Sequence, residues 1–246
     1  MPAVVQDVAR IQGTSARTIN LCIGGGALLL GPGLVLIGAA STRYGWAMAP
    51  SISEYYIFND LTRNLFVGTL CAMGLLMSAY RGWNKDNRWD RAIAIASWLS
   101  AWGIALVPCV SAHYAWLHFS SAAILFGLMA AMLWWRFTEI TGDEDEHCHH
   151  AWKRLRNRVY RVCALTILAA MAIKAASLIR YFNMDTHQPA NLTFWIEVLG
   201  LTAFSIGWLT KSRFILGYKK ADGWLHRTDQ REARWGIAPP PPGRAR

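Results

Sequence analysis

Residues 21–40 read LCIGGGALLLGPGLVLIGAA, and this stretch decides the class of fold. It contains no charged side chain. A helix of this length extends about 30 Å, which matches the hydrocarbon core of a bilayer. The apolar run is continuous and does not alternate with polar residues, so it predicts a helix and not a strand of a barrel. We therefore expect residues 21–40 to cross a membrane.

Apolar stretches of similar length recur along the chain. Hydrophobic residues make up 54% of the 246 positions and charged residues only 16%, a balance shifted away from soluble proteins. The sequence predicts an all-α, polytopic transmembrane helix bundle over residues 1–220, followed by a basic, proline-rich cytoplasmic tail over residues 221–246. Its six predicted spans lie near residues 19–40, 64–82, 91–110, 115–137, 160–182 and 193–216.

Arginine and lysine are unevenly distributed among the loops, and this predicts the orientation. Cytoplasmic loops of membrane proteins carry an excess of both residues. The N-terminal arm, the second and fourth loops and the tail are basic, whereas the connections around residues 109–116 and 183–191 hold no Lys or Arg. We therefore expect a multi-pass protein of the cell membrane, of the bacterial inner-membrane kind, with both termini in the cytoplasm. That orientation requires an even number of spans.

The net charge of +10 has the same origin. Basic loops and a basic tail are attracted to anionic headgroups, so we expect membrane lipids as partners. We expect no nucleic acid as a partner, because no separate soluble domain is left to bind it. The sequence leaves open whether the chain forms a homo-oligomer or joins a larger membrane complex.

Polar residues gather at the end of the spans that is predicted to face outward. Residues 51–63 read SISEYYIFNDLTR, too apolar for a free loop and too polar for a span, so a half-buried segment is expected. Ser53 or Asp60 can cap the next helix, and Asp60 and Arg63 have the i,i+3 spacing of an ion pair. The alternative is a binding site lined by Glu54, Asp60 and Arg63.

Lys174 and Glu197 are the charged residues within the last spans that most need a partner. A helix rises about 1.5 Å per residue, so the depths of the two residues below the outer ends of their helices differ by only about 5 Å. A short connection joins these helices and makes them neighbours. We predict that Lys174 and Glu197 interact or share a water-filled cavity.

His113, His118 and His187 are the candidate metal ligands at the same end. His113 and His118 would point about 140° apart on one helix, so they could share a metal only if His113 lies in a turn. The alternative for His118 is hydrogen-bonded packing. Zinc is the cofactor that a histidine site would imply.

The cysteines have no CxxC spacing and are odd in number, five in all. Cys109 is the one expected near the outer face. Packing as small apolar side chains is the expected role of all of them.

Short motifs resemble known membrane families. They are the serine and acid segment after the first span, the second-span residues 66–72 (FVGTLCA) and residues 117–126 (LHFSSAAILF). Together they resemble small six-helix bacterial families of the DRAM and Frag-like kind and, more loosely, the CREST superfamily of alkaline ceramidases and adiponectin-type receptors. The second resemblance implies zinc-dependent hydrolysis of lipid amides, with Ser53, Asp60 and His118 likened to part of the catalytic set. The last span lacks the HxxxH pair of those enzymes.

Three functions remain open from the sequence. The first is an outward-facing polar pocket that binds a lipid or small molecule. The second is a metal-dependent lipid amide or ester hydrolase, with Asp60 or Glu54 as general base toward a metal-bound water. The third is a proton-coupled transporter in which Lys174 and Glu197 titrate.

Overall fold

The computed structural model describes residues 3–41, 48–80, 88–111, 113–139, 149–184 and 191–216, without the side chains of 3–15, 149–152 and 180–184. Within these ranges the chain is all helical, as predicted, and no strand occurs. The helices are α1 Ala3–Ser41, α2 Tyr55–Phe58, α3 Asp60–Ser78, α4 Arg88–Leu106, α5 Ala115–Ala131, α6 His149–Met184 and α7 Leu192–Lys211. A π-helical turn, Met132–Arg136, continues α5.

Segments from five helices are long and apolar enough to cross a membrane. They are Ala16–Ser41, Asp60–Ser78, Ala115–Arg136, Lys153–Ile179 and Leu192–Lys211. These are the helices of a multi-pass membrane protein. Helix α4 is less apolar because Arg88, Asp90 and Arg91 occupy its first turn, so the sixth span stays a prediction.

The long helices in the described part of the chain form a closed ring. Each packs against the next in chain order, from α1 to α3, α4, α5, α6 and α7, and α7 returns to α1. Helix α5 also touches α7 across the ring. A Cβ on Gly200 would lie 2.8 Å from Cε1 of Phe126, so this close contact requires glycine at position 200.

Some element boundaries differ from the predicted windows. Helix α3 begins at Asp60 because Asn59 caps it: Asn59 Oδ1 accepts from Thr62 N–H at 2.9 Å, and Thr62 Oγ1 accepts from Asn59 N–H at 3.3 Å. The prediction that Ser53 or Asp60 provides this cap was wrong. The last predicted window also extends past the end of its helix. Helix α7 ends at Lys211. Beyond it, Arg213 and Leu216 have positive φ.

Contacts between helix ends define two ends of the ring. We name them the Glu197 end, which holds residues 48–60, the α4–α5 connection and the start of α7, and the Arg136 end, where α4 begins. At the Glu197 end, Asn59 Nδ2 donates to Ser41 Oγ at 2.8 Å. At the Arg136 end, the guanidinium of Arg136 pairs with the buried carboxylate of Asp90. An aromatic cluster of Tyr80, Phe137, Tyr160 and Trp208 packs beside that pair.

Candidate functional site

Glu197, on the second turn of α7, is the centre of a polar cluster. Its Oε2 accepts a hydrogen bond from the backbone N–H of Ile52 at 2.6 Å. The carbonyl of Pro50 accepts from Phe194 N–H at 2.9 Å. Residues 50–54 are therefore fastened to the first turns of α7 by their backbone, and we call them the polar segment.

The serines of the polar segment bond within it. Ser51 Oγ lies 3.2 Å from Ser53 Oγ, and it accepts from Glu54 N–H at 3.2 Å. Ser51 Oγ also donates to Glu54 Oε1 at 3.4 Å. Both serines are buried, whereas Glu54 is half-buried. The segment thus presents one carboxylate toward its surroundings while its hydroxyls hold its shape.

Lys174, on α6, belongs to the same cluster. Its Nζ donates to Thr193 Oγ1 at 2.7 Å, and the charges of Glu197 and Glu54 both act on it. The charges of Lys174 and Glu197 therefore influence each other, and the shared water-filled cavity stays a prediction. No direct ion pair joins these two residues in the described ranges. The cation and the carboxylate each have a neutral hydrogen-bond partner instead.

Cys109, in the connection between α4 and α5, lies beside the polar segment. Burial raises the pKa of its thiol, and the negative charges of Glu54 and Glu197 add to that increase, while hydrogen bonding by the Ser53 side chain opposes it. The sequence predicts only a packing role for Cys109. It also predicts that Cys109 lies near the outer face, and this position could have indicated that the residue belongs to the site.

Asp60 and Arg63 lie apart from this cluster. They pair with each other, as their spacing predicted, and their side chains are 85% and 43% exposed. Arg63 also lies over the ring of Tyr56, with Cζ 5.9 Å from the centroid. The described contacts therefore favour the ion-pair interpretation for these two residues and leave Ser53, Glu54, Lys174 and Glu197 as the site.

The histidines have separate surroundings. His118 is buried, and its Nδ1 lies 2.7 Å from the carbonyl oxygen of Val107, a contact that joins the start of α5 to the end of α4. His113 is exposed, and its ring contacts that of Tyr114. His187 lies outside the described residues. Among the residues that are described, no group of three or more His, Cys, Asp or Glu side chains could hold a metal ion.

No family model, curated protein or solved structure matches this chain. The resemblance to the DRAM, Frag-like and CREST families therefore stays a prediction. Part of the motif that suggested it has a packing role, because Phe66 and Leu70 are buried in the core of the ring.

Proposed function

We propose that the polar cluster at the Glu197 end faces the outside of the cell and binds the polar headgroup of a lipid or a small molecule. The cluster consists of the polar segment, Cys109, Lys174, Thr193 and Glu197. Its place at the ends of membrane-spanning helices would let an amphipathic ligand enter from the bilayer or from solution.

The separate hydrogen bonding of Lys174 and Glu197 carries the proposal. A charged group in a membrane helix is expensive and is usually retained for function. A structural role alone would be met by a direct ion pair, or by apolar residues of similar volume. Here Lys174 Nζ binds Thr193 and Glu197 binds the backbone of Ile52, so each charge keeps capacity for a further partner.

The chemistry of the cluster suits a ligand that carries both an anionic and a cationic or hydroxyl group. The ammonium group of Lys174 has three donors, and Thr193 takes one of them. The others can bind a phosphate or carboxylate. Glu54 is half-buried, and its carboxylate can accept from an amine or a hydroxyl.

Mass spectrometry of molecules that copurify with the full-length protein in detergent tests this proposal. We expect a ligand that is retained by the wild type and by Asp60→Asn, and lost from Glu197→Gln and Lys174→Met. Asp60→Asn is the matched control because it removes a carboxylate from the same end but outside the cluster. Identical copurifying molecules in all four proteins, each confirmed as folded by circular dichroism, would rule the proposal out.

Proton-coupled transport is the second candidate, because the charges of the same acid and base influence each other without a direct ion pair. Uptake into proteoliposomes that depends on a proton gradient, and is abolished by Glu197→Gln, would favour it over binding alone. A zinc-dependent hydrolase has no such support, since His113 and His118 have different partners in the described part of the chain.

A further inference from the structure

Arginine side chains lie over tryptophan rings at the Arg136 end. The Cζ atom is 6.0 Å from the ring centroid for Arg88 and Trp89, 5.0 Å for Arg136 and Trp135, and 5.9 Å for Arg161 and Trp134. The rings of Trp89 and Trp135 are themselves 5.9 Å apart. Helices α4, α5 and α6 thus share one surface of interleaved cations and aromatic rings.

The π-helical turn builds the centre of this surface. Its hydrogen bond joins residues five positions apart, from Phe137 N–H to the carbonyl of Met132 at 2.9 Å. Trp134 and Trp135 remain 47% and 44% exposed, and Trp89 on α4 is 53% exposed. Exposed tryptophans at the end of a membrane helix are typical of the headgroup level of a bilayer, where the ring is half solvated.

Along one face of helix α6, the exposed side chains change from basic to apolar. Arg154, Arg158, Arg161, Leu165 and Leu168 are spaced alternately by four and three residues, which places them on one stripe. All of them are exposed. The stripe therefore turns from basic to apolar within one helical turn, beside Trp134.

The charge of this stripe is not balanced by the acids described near it. Asp90 and Glu139 both bond to Arg136, which is buried. Arg158 and Arg161 are exposed, and the contact described for Arg161 is the neutral ring of Trp134. The described residues of this surface are thus basic and aromatic at its polar end, and apolar beyond it.

We propose that this surface, formed by the Arg154–Leu168 stripe of α6 with Trp134 and Trp135, is a binding site for an anionic phospholipid. The arginines bind the phosphate, since a guanidinium matches phosphate geometry with paired donors. The tryptophans pack on the glycerol region, and Leu165 and Leu168 contact an acyl chain. This site is at the opposite end of the ring from the Glu197 cluster and does not depend on its function.

Native mass spectrometry of the delipidated, full-length protein in detergent tests the site with defined lipids. Phosphatidylglycerol is the anionic probe, and phosphatidylcholine with the same acyl chains is the zwitterionic one. We expect the wild type to prefer phosphatidylglycerol. Arg158→Gln and Arg161→Gln should each weaken its binding about five-fold, the contribution of one basic residue at an anionic surface. Phosphatidylcholine should lose less, because its choline group offsets the charge of its phosphate.

Arg63→Gln is the matched control, because Arg63 also lies over an aromatic ring but pairs with Asp60 at the other end. It should leave both lipids unaffected. Arg161→Lys keeps the charge and should retain the preference for phosphatidylglycerol, which separates lost charge from lost folding. Equal binding of the two lipids by the wild type, or equal losses in Arg63→Gln and Arg161→Gln, would overturn the proposal.

Discussion

The carboxylate of Glu197 accepts a hydrogen bond at 2.6 Å from the backbone N–H of Ile52, which lies 145 positions earlier in the chain. This bond holds the polar segment against the start of α7. It also brings Ser53 and Glu54 to the helix that carries the buried acid. The site therefore depends on a contact between the first and the last parts of the ring.

Glu197→Gln and Glu197→Leu should separate the hydrogen bond from the charge. Glutamine keeps an acceptor for Ile52 N–H, whereas leucine leaves that donor without a partner at a cost of about 1–3 kcal/mol. We expect the leucine variant to be clearly less stable in unfolding by sodium dodecyl sulfate, followed by circular dichroism. Equal stability of the two variants would show that the bond to Ile52 contributes little.

Asp90→Ala should destabilise the protein far more than Asp60→Ala. The pair of Asp90 with Arg136 is buried, and removing one partner of such a pair costs about 3–5 kcal/mol. The pair of Asp60 with Arg63 is exposed, and its loss should cost at most about 1 kcal/mol. Both free energies of unfolding can be measured in the same detergent titration.

The double variant Asp90→Leu/Arg136→Met provides the control for this comparison. It removes both charges, so no buried ion is left without a partner, and it should recover part of the stability lost in Asp90→Ala. If the double variant loses as much stability as Asp90→Leu and Arg136→Met lose separately when added together, the buried-pair interpretation is contradicted.

Gly207→Ala should destabilise the ring by about 1–3 kcal/mol, because overpacking a core forces its neighbours to move. A Cβ on Gly207 would overlap the side chain of Leu133, which is fully buried. Gly68 has open space at its Cβ position, so Gly68→Ala should be neutral or gain up to about 1 kcal/mol from helix propensity. Thermal unfolding of both variants tests this, and similar melting temperatures would contradict it.

Labelling of Cys109 tests which side of the membrane the Glu197 end faces. In a chain with Cys109 as its only cysteine, a membrane-impermeant maleimide should label intact cells if that end is outside. Labelling confined to inverted vesicles would place it in the cytoplasm and reverse the predicted topology.

The pH dependence of the same reaction tests the surroundings of the thiol. Maleimides react with the thiolate, and the raised pKa of Cys109 means that a smaller thiolate fraction is present at neutral pH than for a free cysteine. The rate profile of Cys109 should therefore lie at higher pH. Glu54→Gln should move it to lower pH by removing a negative charge, and Ser53→Ala should move it to higher pH by removing a hydrogen bond.

Part of the Glu197 end was predictable from simple rules. The i,i+3 spacing predicted the pair of Asp60 with Arg63, and the cost of isolated charges in hydrocarbon drew attention to Lys174 and Glu197. The cap of α3 was not predicted correctly. Asn59, Asp60 and Ser53 are all residue types that cap helices, and only the backbone conformation distinguishes among them.

The apolar runs are enough to predict a helical, multi-pass membrane protein. In hydrocarbon every backbone polar group must be hydrogen-bonded within the protein, and a continuous apolar run of this length meets that requirement as a helix. The contacts of Ile52 with Glu197 and of Thr193 with Lys174 could be read only from the folded structure. Those contacts depend on how each helix is rotated and which neighbours it packs against, and residues far apart in the chain set both.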